Sequence, residues 1–357
     1  MCYNIRMYLI QEYVKWRGDL GFDIVPMTTE DIVVLCSLTY SPYEELAGED
    51  YSGKTLTELH SLVFRNRQPV NDWGWQKALF ALWMDLPKYK RFADIRLVNF
   101  SSVMDEEVDQ QFAVATYEID DTVIIAFRGT DTSITGWKEN IEMAYKGVLS
   151  SQRTALEYVN KVLAKYDRAI VCGHSKGGNL AMYSAAYCDE PDKVKAIYNL
   201  DGPGLDKRSY EEKWSLISTK TTNIVPQGTL FGVILGYGAN YKVVTSNAKG
   251  FMQHDTFTWE FDGPRLNEAG GISKKSRKIG MGVHTFLEES SAEERRMLID
   301  AIYKLFEATG AKDMDEMISG LLSKAPVLLK ELRKMKPEEK KIIRRLLRGI
   351  AFTRVQR

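Results

Sequence analysis

Apolar residues recur along this chain with two alternating periods. Thr28-Thr29-Glu30-Asp31 precedes the apolar run Ile32 to Leu38, a capped helix start. Residues 1 to about 105 otherwise read as mostly helical and irregular. Phe112 to Ile119 and Thr122 to Phe127 alternate with period two, and Asp120-Asp121 between them reads as a hairpin turn. A helix over about 152–166 places Leu156, Val159, Leu163 and Tyr166 on one face. Ala169 to Cys172 is a short buried strand, and Leu180, Met182, Tyr183 and Ala186 then return to helical spacing. Ala196 to Leu200, Thr221 to Val225 and Tyr241 to Thr245 are further short strands. Strands alternating with helices predict an α/β domain with a mostly parallel sheet covered on both faces.

The pattern changes after about residue 285. Ser291-Ala292-Glu293-Glu294 has capping-box spacing, and Leu298, Ile302 and Leu305/Phe306 continue the helix behind it. Two more helical stretches follow, divided near Pro326 and Pro337. The expected organisation is an N-terminal segment 1–105 that covers the site, a core 106–285, and helices 286–357 packed on that core.

Composition narrows the class. The 357 residues are 44% apolar, and Lys+Arg and Asp+Glu balance at 48 each. No global field recruits nucleic acid. Cys2, Cys36, Cys172 and Cys188 lack metal-site or C-x-x-C spacing, so a reduced, cytoplasmic protein without metal or cofactor is expected. Arg6, Glu12, Lys15 and Arg17 interrupt any signal-like apolar stretch, and no run of about 18 apolar residues is present. Charge is uneven locally. Between Arg333 and Arg357 ten Lys/Arg face only Glu338 and Glu339, interleaved with Ile342, Ile343, Leu346, Leu347 and Ile350. This basic helix suits either packing on the domain or weak contact with an anionic membrane surface, and packing is the commoner fate of such a stripe.

The chemistry centres on Gly173-His174-Ser175-Lys176-Gly177. Strand, Gly-x-Ser-x-Gly and helix in that order make a nucleophile elbow, which holds the serine hydroxyl clear of the sheet. Gly173 and Gly177 are required where a Cβ would strike the neighbouring strand or helix. Ser175 is the expected nucleophile. In such folds acid and histidine follow the serine in that order. His254 is then the base, in the polar loop Gly250 to Asp255. His60 and His284 read as ordinary histidines, and the His174 side chain is expected to point away from the site. Asp201, at the end of an apolar strand, is the first choice of acid, with Asp206 and Asp255 as alternatives. Two oxyanion donors are expected, the N–H of Lys176 and the N–H and hydroxyl of Thr130 at the end of Val123 to Phe127. Gly228 to Leu235 fits an acyl pocket and a core element equally well.

Ala126-Phe127-Arg128-Gly129-Thr130, Trp137 and Gly173-His174-Ser175-Lys176-Gly177-Gly178 resemble the fungal-type (class 3) lipases over roughly residues 110–260. Trp16-Arg17-Gly18-Asp19-Leu20, Asn199 to Gly204, Ile224-Val225-Pro226-Gln227 and Gln253-His254-Asp255 further resemble a family of bacterial lipase-like proteins along nearly the whole chain. The resemblance implies an α/β-hydrolase fold and a serine hydrolase cleaving carboxylic esters, lipid-like in kind. Two positions depart from it. Asn223 stands where those lipases carry their acid, and Lys176 where they usually have Leu. The first leaves open a non-catalytic binding protein; a thioesterase or peptidase on the same scaffold is the enzymatic alternative. The second suggests either contact with an anionic head group or a side chain in solvent.

Overall fold

A computed structural model describes residues 9–63, 75–130, 136, 139, 142–143, 147–205, 213–235, 240–310 and 323–352. Beside a small hairpin of Phe261–Asp262 and Arg265–Leu266, its strands are β1 (Lys54–Thr55), β2 (Arg96–Asp105), β3 (Gln110–Ile119), β4 (Thr122–Phe127), β5 (Ala169–His174), β6 (Val194–Leu200), β7 (Thr221–Pro226) and β8 (Tyr241–Val244). Among the described residues they form one eight-stranded sheet in chain order. Neighbours are antiparallel from β1 to β4 and parallel from β4 to β8. This is the α/β-hydrolase arrangement.

The period-two pattern of the central strands works because both faces are covered. On β4, Ile124 and Ala126 enter one apolar cluster, while Val123, Ile125 and Phe127 enter another. The first cluster lies under helices α1 (Ile10–Arg17), α2 (Thr29–Leu38), α3 (Leu56–Val63), α4 (Trp75–Asp85) and α5 (Lys90–Ala93). The second lies under α6 (Ser150–Leu163) and α7 (Lys176–Tyr187). Every residue of α2 from Glu30 to Leu38 is buried, and its polar members have partners: Glu30 accepts from the Leu266 N–H and the Ser37 hydroxyl donates to the Val33 carbonyl. Its capping box is formed, the Asp31 carboxylate accepting from the Thr28 N–H at 2.8 Å.

The first 105 residues supply this α2 layer and also β2, which the alternation did not reveal. Most of β2 is exposed or half-buried, and its sequence Arg-Leu-Val-Asn-Phe-Ser-Ser-Val-Met-Asp has no regular apolar face. It is a strand because its backbone pairs with β3 along nearly its whole length. One buried cation locks this layer. The Arg91 guanidinium meets both carboxylate oxygens of Asp31, at 2.7 and 2.6 Å, and the carbonyls of Leu20, Val25 and Pro26.

Among the described residues four helices follow the sheet: α8 (Lys274–Glu289), α9 (Ala292–Ala308), α10 (Ala325–Lys334) and α11 (Pro337–Phe352). Ser291 and Glu294 close the capping box of α9. Phe286, Leu287, Leu298 and Ile342 form a third apolar cluster, flanked by Ile343 and Leu346. Leu347, expected on the same stripe, is exposed. A Cβ on Gly282 would meet the Ile350 backbone, so α8 and α11 are in close contact there. No described helix is long and apolar enough to cross a membrane.

Candidate active site

The parallel strands β5, β6 and β7 end at one edge of the sheet, and the expected site residues gather there. Ser175 joins β5 to α7 with φ 57° and ψ −130°, in the region that L-residues rarely adopt. The turn is held by the Ser175 N–H, which donates to the Leu200 carbonyl at 2.9 Å. It is also held by close backbone approach. A Cβ on Gly173 would meet the Gly177 backbone, and one on Gly177 would meet the Phe127 carbonyl of β4. Lys176 opens the first turn of α7, where N–H groups have no partner within the helix.

Asp201 follows β6 with a fully buried side chain. One carboxylate oxygen, Oδ2, lies 2.7 Å from His254 Nδ1. The other, Oδ1, accepts from the Thr229 hydroxyl and from the Gly232 N–H at 3.3 Å. Thr229 and Gly232 belong to the stretch Gly228 to Leu235, which is neither helix nor strand but an irregular turn wrapped on the acid. Asn223 is turned elsewhere. Its side-chain oxygen accepts from Asn199 Nδ2 at 3.0 Å, and Asn199 also bonds both backbone polar groups of Gly202. Asp255 caps its own turn, accepting from the Phe257 N–H at 2.9 Å, and burial pushes its carboxyl up to about 6. Asp206 and Trp137 lie outside the described residues.

His254 ends a short 3-10 turn, Gly250–His254, with its side chain 17% exposed. The Phe231 ring is 4.3 Å from its ring, centroid to centroid, and the Phe251 ring 6.3 Å. His60 and His284 lie elsewhere: His60 on α3 meets Met84 of α4, and His284 on α8 meets Glu288 of the same helix. Thr130 follows β4, and its buried hydroxyl has no hydrogen-bond partner among the described residues.

Two sequence expectations are corrected. The His174 ring does not point away from the site. It shares a sheet face with Cys172, the face of α2 and of the loop that carries His254. Its Nε2 bonds the His254 carbonyl at 2.8 Å, and its Nδ1 meets the Tyr40 hydroxyl at 2.7 Å. A carbonyl only accepts, so Nε2 carries the proton and the Tyr40 hydroxyl donates to Nδ1. Burial, with His254 nearby, lowers the His174 pKa to about 3, which keeps the ring neutral. The Lys176 side chain reaches neither solvent nor a substrate head group. It is 1% exposed, and its ammonium meets Glu139 at 2.8 Å together with the Gln111 carbonyl and side-chain oxygens. Glu139 in turn accepts from the Ser151 N–H in the first turn of α6. Tyr40, Thr229, Gln111 and Glu139 had no signature in the sequence, because each acts through a contact with a distant segment.

Among the described residues no group of three or more His, Cys, Asp or Glu is placed to hold a metal ion. This edge thus joins a serine in a strained turn, a histidine–carboxylate pair and the first turn of α7, a set able to perform nucleophilic acyl transfer.

Comparison with known proteins places this chain. Two solved structures are similar: the M37 lipase, at 14% identity over 58% of this chain and 69% of that one with a TM-score of 0.35, and the mono- and diacylglycerol lipase from Aspergillus oryzae, at 15% identity over 67% and 88% with a TM-score of 0.38. No curated protein matches the sequence. The profile of the Mbeg1-like family matches residues 86–304, more than half of the chain. This lipase-like α/β-hydrolase chain belongs to the Mbeg1-like family.

Proposed function

We propose that the protein is a serine hydrolase that cleaves carboxylic esters through an acyl-enzyme. The observation that carries this reading is the 2.7 Å contact between His254 Nδ1 and the buried Asp201 carboxylate, beside the elbow of Ser175. With its Nδ1–H donated to Asp201, His254 offers Nε2 as the base. Ser175 Oγ attacks the ester carbonyl while His254 takes its proton. The Lys176 N–H and the N–H and hydroxyl of Thr130 hold the oxyanion. His254 then protonates the departing alcohol, and water attacks the acyl-enzyme with the same histidine as base. Phe231 and Phe251 put apolar surface beside the base, which favours lipid-like esters.

Labelling with a fluorophosphonate tests the nucleophile. The wild type is expected to react and Ser175→Ala to be silent. His254→Ala is expected to lose nearly all turnover, and Asp201→Asn to lose about 10⁴-fold in kcat. A folded wild type that neither labels nor turns over p-nitrophenyl esters or acyl-thioesters refutes the reading, and preference for thioesters reassigns the leaving group.

A further inference from the structure

The chain has no net charge, yet residues 269–287 contain Lys274, Lys275, Arg277 and Lys278 and not one carboxylate. All four cations are exposed, and none is ion-paired among the described residues. At 100° per residue they span about 160° of the α8 surface. The buried Ser276 and Gly280 occupy the opposite side.

This basic helix end lies beside the candidate site. The Ser273 N–H, at the α8 N-cap, donates to the Gln227 carbonyl at 2.7 Å. The next residue, Gly228, donates to the side chain of Gln253, the neighbour of His254. The cap of α8 and the loop of the base therefore share one sheet edge. α11 brings apolar surface to the same end. Phe286 of α8 clusters with Ile342 and Leu346 of α11, whereas Gly282 meets Ile350. The helices run antiparallel, and the last turn of α11 points to the first turns of α8. That last turn exposes Arg348 and Phe352, the latter 79% exposed. Further from this end the α11 and α10 charges are partly spent, Arg345 on Glu294 and Lys334 on Glu331.

We propose that the first turns of α8 and the last turn of α11 form a docking surface for an anionic lipid bilayer. Unpaired cations meet acidic headgroups, and Phe352 enters the boundary between headgroup and acyl chain. The surface sets the edge that holds Ser175 and His254 against the lipid. It deepens the ester-hydrolase reading by naming where substrate is met, and it rests on that reading for its purpose alone, because binding is measured without turnover.

The test is sedimentation of the full-length Ser175→Ala protein with vesicles of phosphatidylcholine alone or with about 30% phosphatidylglycerol, an anionic content suited to surface attraction. Binding is expected only to the anionic vesicles. It should weaken at least about tenfold between roughly 50 mM and 500 mM NaCl. Lys274→Gln, Lys275→Gln, Arg277→Gln and Lys278→Gln combined should weaken it at least about tenfold, since each cation near such a surface contributes roughly fivefold. Phe352→Ser, which removes no charge, should weaken it as well. The same four changes in the otherwise wild-type chain should leave p-nitrophenyl acetate hydrolysis unaltered. Absence of vesicle binding by folded protein overturns the proposal, as does equal binding to both vesicle types or retention by the four-fold variant. Tighter binding to RNA than to anionic vesicles overturns it too. Vesicle binding without any esterase activity in the wild type would leave the docking surface standing and remove the hydrolase reading.

Discussion

Asp255 follows the base on the chain and His174 touches its carbonyl from β5, and burial pushes both toward their neutral forms. For His174 the native value is about 3, against 6.5 in its ordinary state. As pH falls through 6.5 the unfolded chain takes up this proton and the native chain does not, so acidification withdraws stability until about pH 3. For Asp255 the native value is about 6, against 3.8. Between those values the native carboxyl holds a proton that the unfolded chain lacks, so acidification adds stability. The two contributions oppose each other between about pH 4 and 6, each with a slope of up to about 1.4 kcal/mol per pH unit. Relative to wild type, His174→Gln should therefore gain stability between pH 6 and 4, and Asp255→Asn should lose it. Urea midpoints taken at both pH values check the two signs, and slopes of the same sign would contradict this assignment. These roles were not legible in the sequence. The Gly-x-Ser-x-Gly spacing and the chain order pointed to Ser175, His254 and Asp201, all local signals. The partners of His174 and of Lys176 sit on other segments, at Tyr40, Gln111 and Glu139, and no local pattern specifies such meetings.

Among the elements, the nucleophile elbow depends most on shape. Gly177 touches the Phe127 carbonyl so closely that β4 would have to move for any side chain to fit. Gly177→Ala is expected to cost about 1–3 kcal/mol, the usual penalty of overpacking, and to depress fluorophosphonate labelling more than it depresses helix content. Unchanged labelling together with an unchanged melting temperature would show that the strand yields. Elements with a regular face were readable. The β3–β4 hairpin, β5 with α7, and the capping boxes of α2 and α9 follow from period, turn residues and spacing. β2 was not, because a strand held mainly by its backbone ladder needs no apolar alternation. The Gly228 to Leu235 run was equally opaque. Its composition suits a pocket or a core strand, but its shape is set by the bonds of Thr229 and Gly232 to Asp201.

Over the whole molecule the C-terminal helices act as a packed layer. Ending the chain after Lys330 would strip Ile342, Ile343 and Leu346 from Phe286, Leu287 and Leu298. Each buried apolar side chain of this size contributes about 1.5–3 kcal/mol, so a thermal midpoint lower by several degrees is expected. An unchanged midpoint would mean that this cluster adds nothing to the core. The apolar stripe of that helix was legible; which of its members faced outward was not, since Leu347 and Leu346 differ only in which side α8 occupies. The bond from Tyr40 to His174 spans 134 positions, that from His174 to the His254 carbonyl 80, and that from Ser37 to Thr256 219. Contacts so distant in sequence form late, because long loops must close before they are rewarded. During refolding, reactivity of Ser175 should lag behind the recovery of secondary structure seen by far-UV circular dichroism, and the two curves coinciding would refute the delay. A half-made chain would then carry Ser175 without His254, so labelling would stay silent until the turn of His254 and Thr256 had been made and had closed on Ser37 and on His174 with its partner Tyr40.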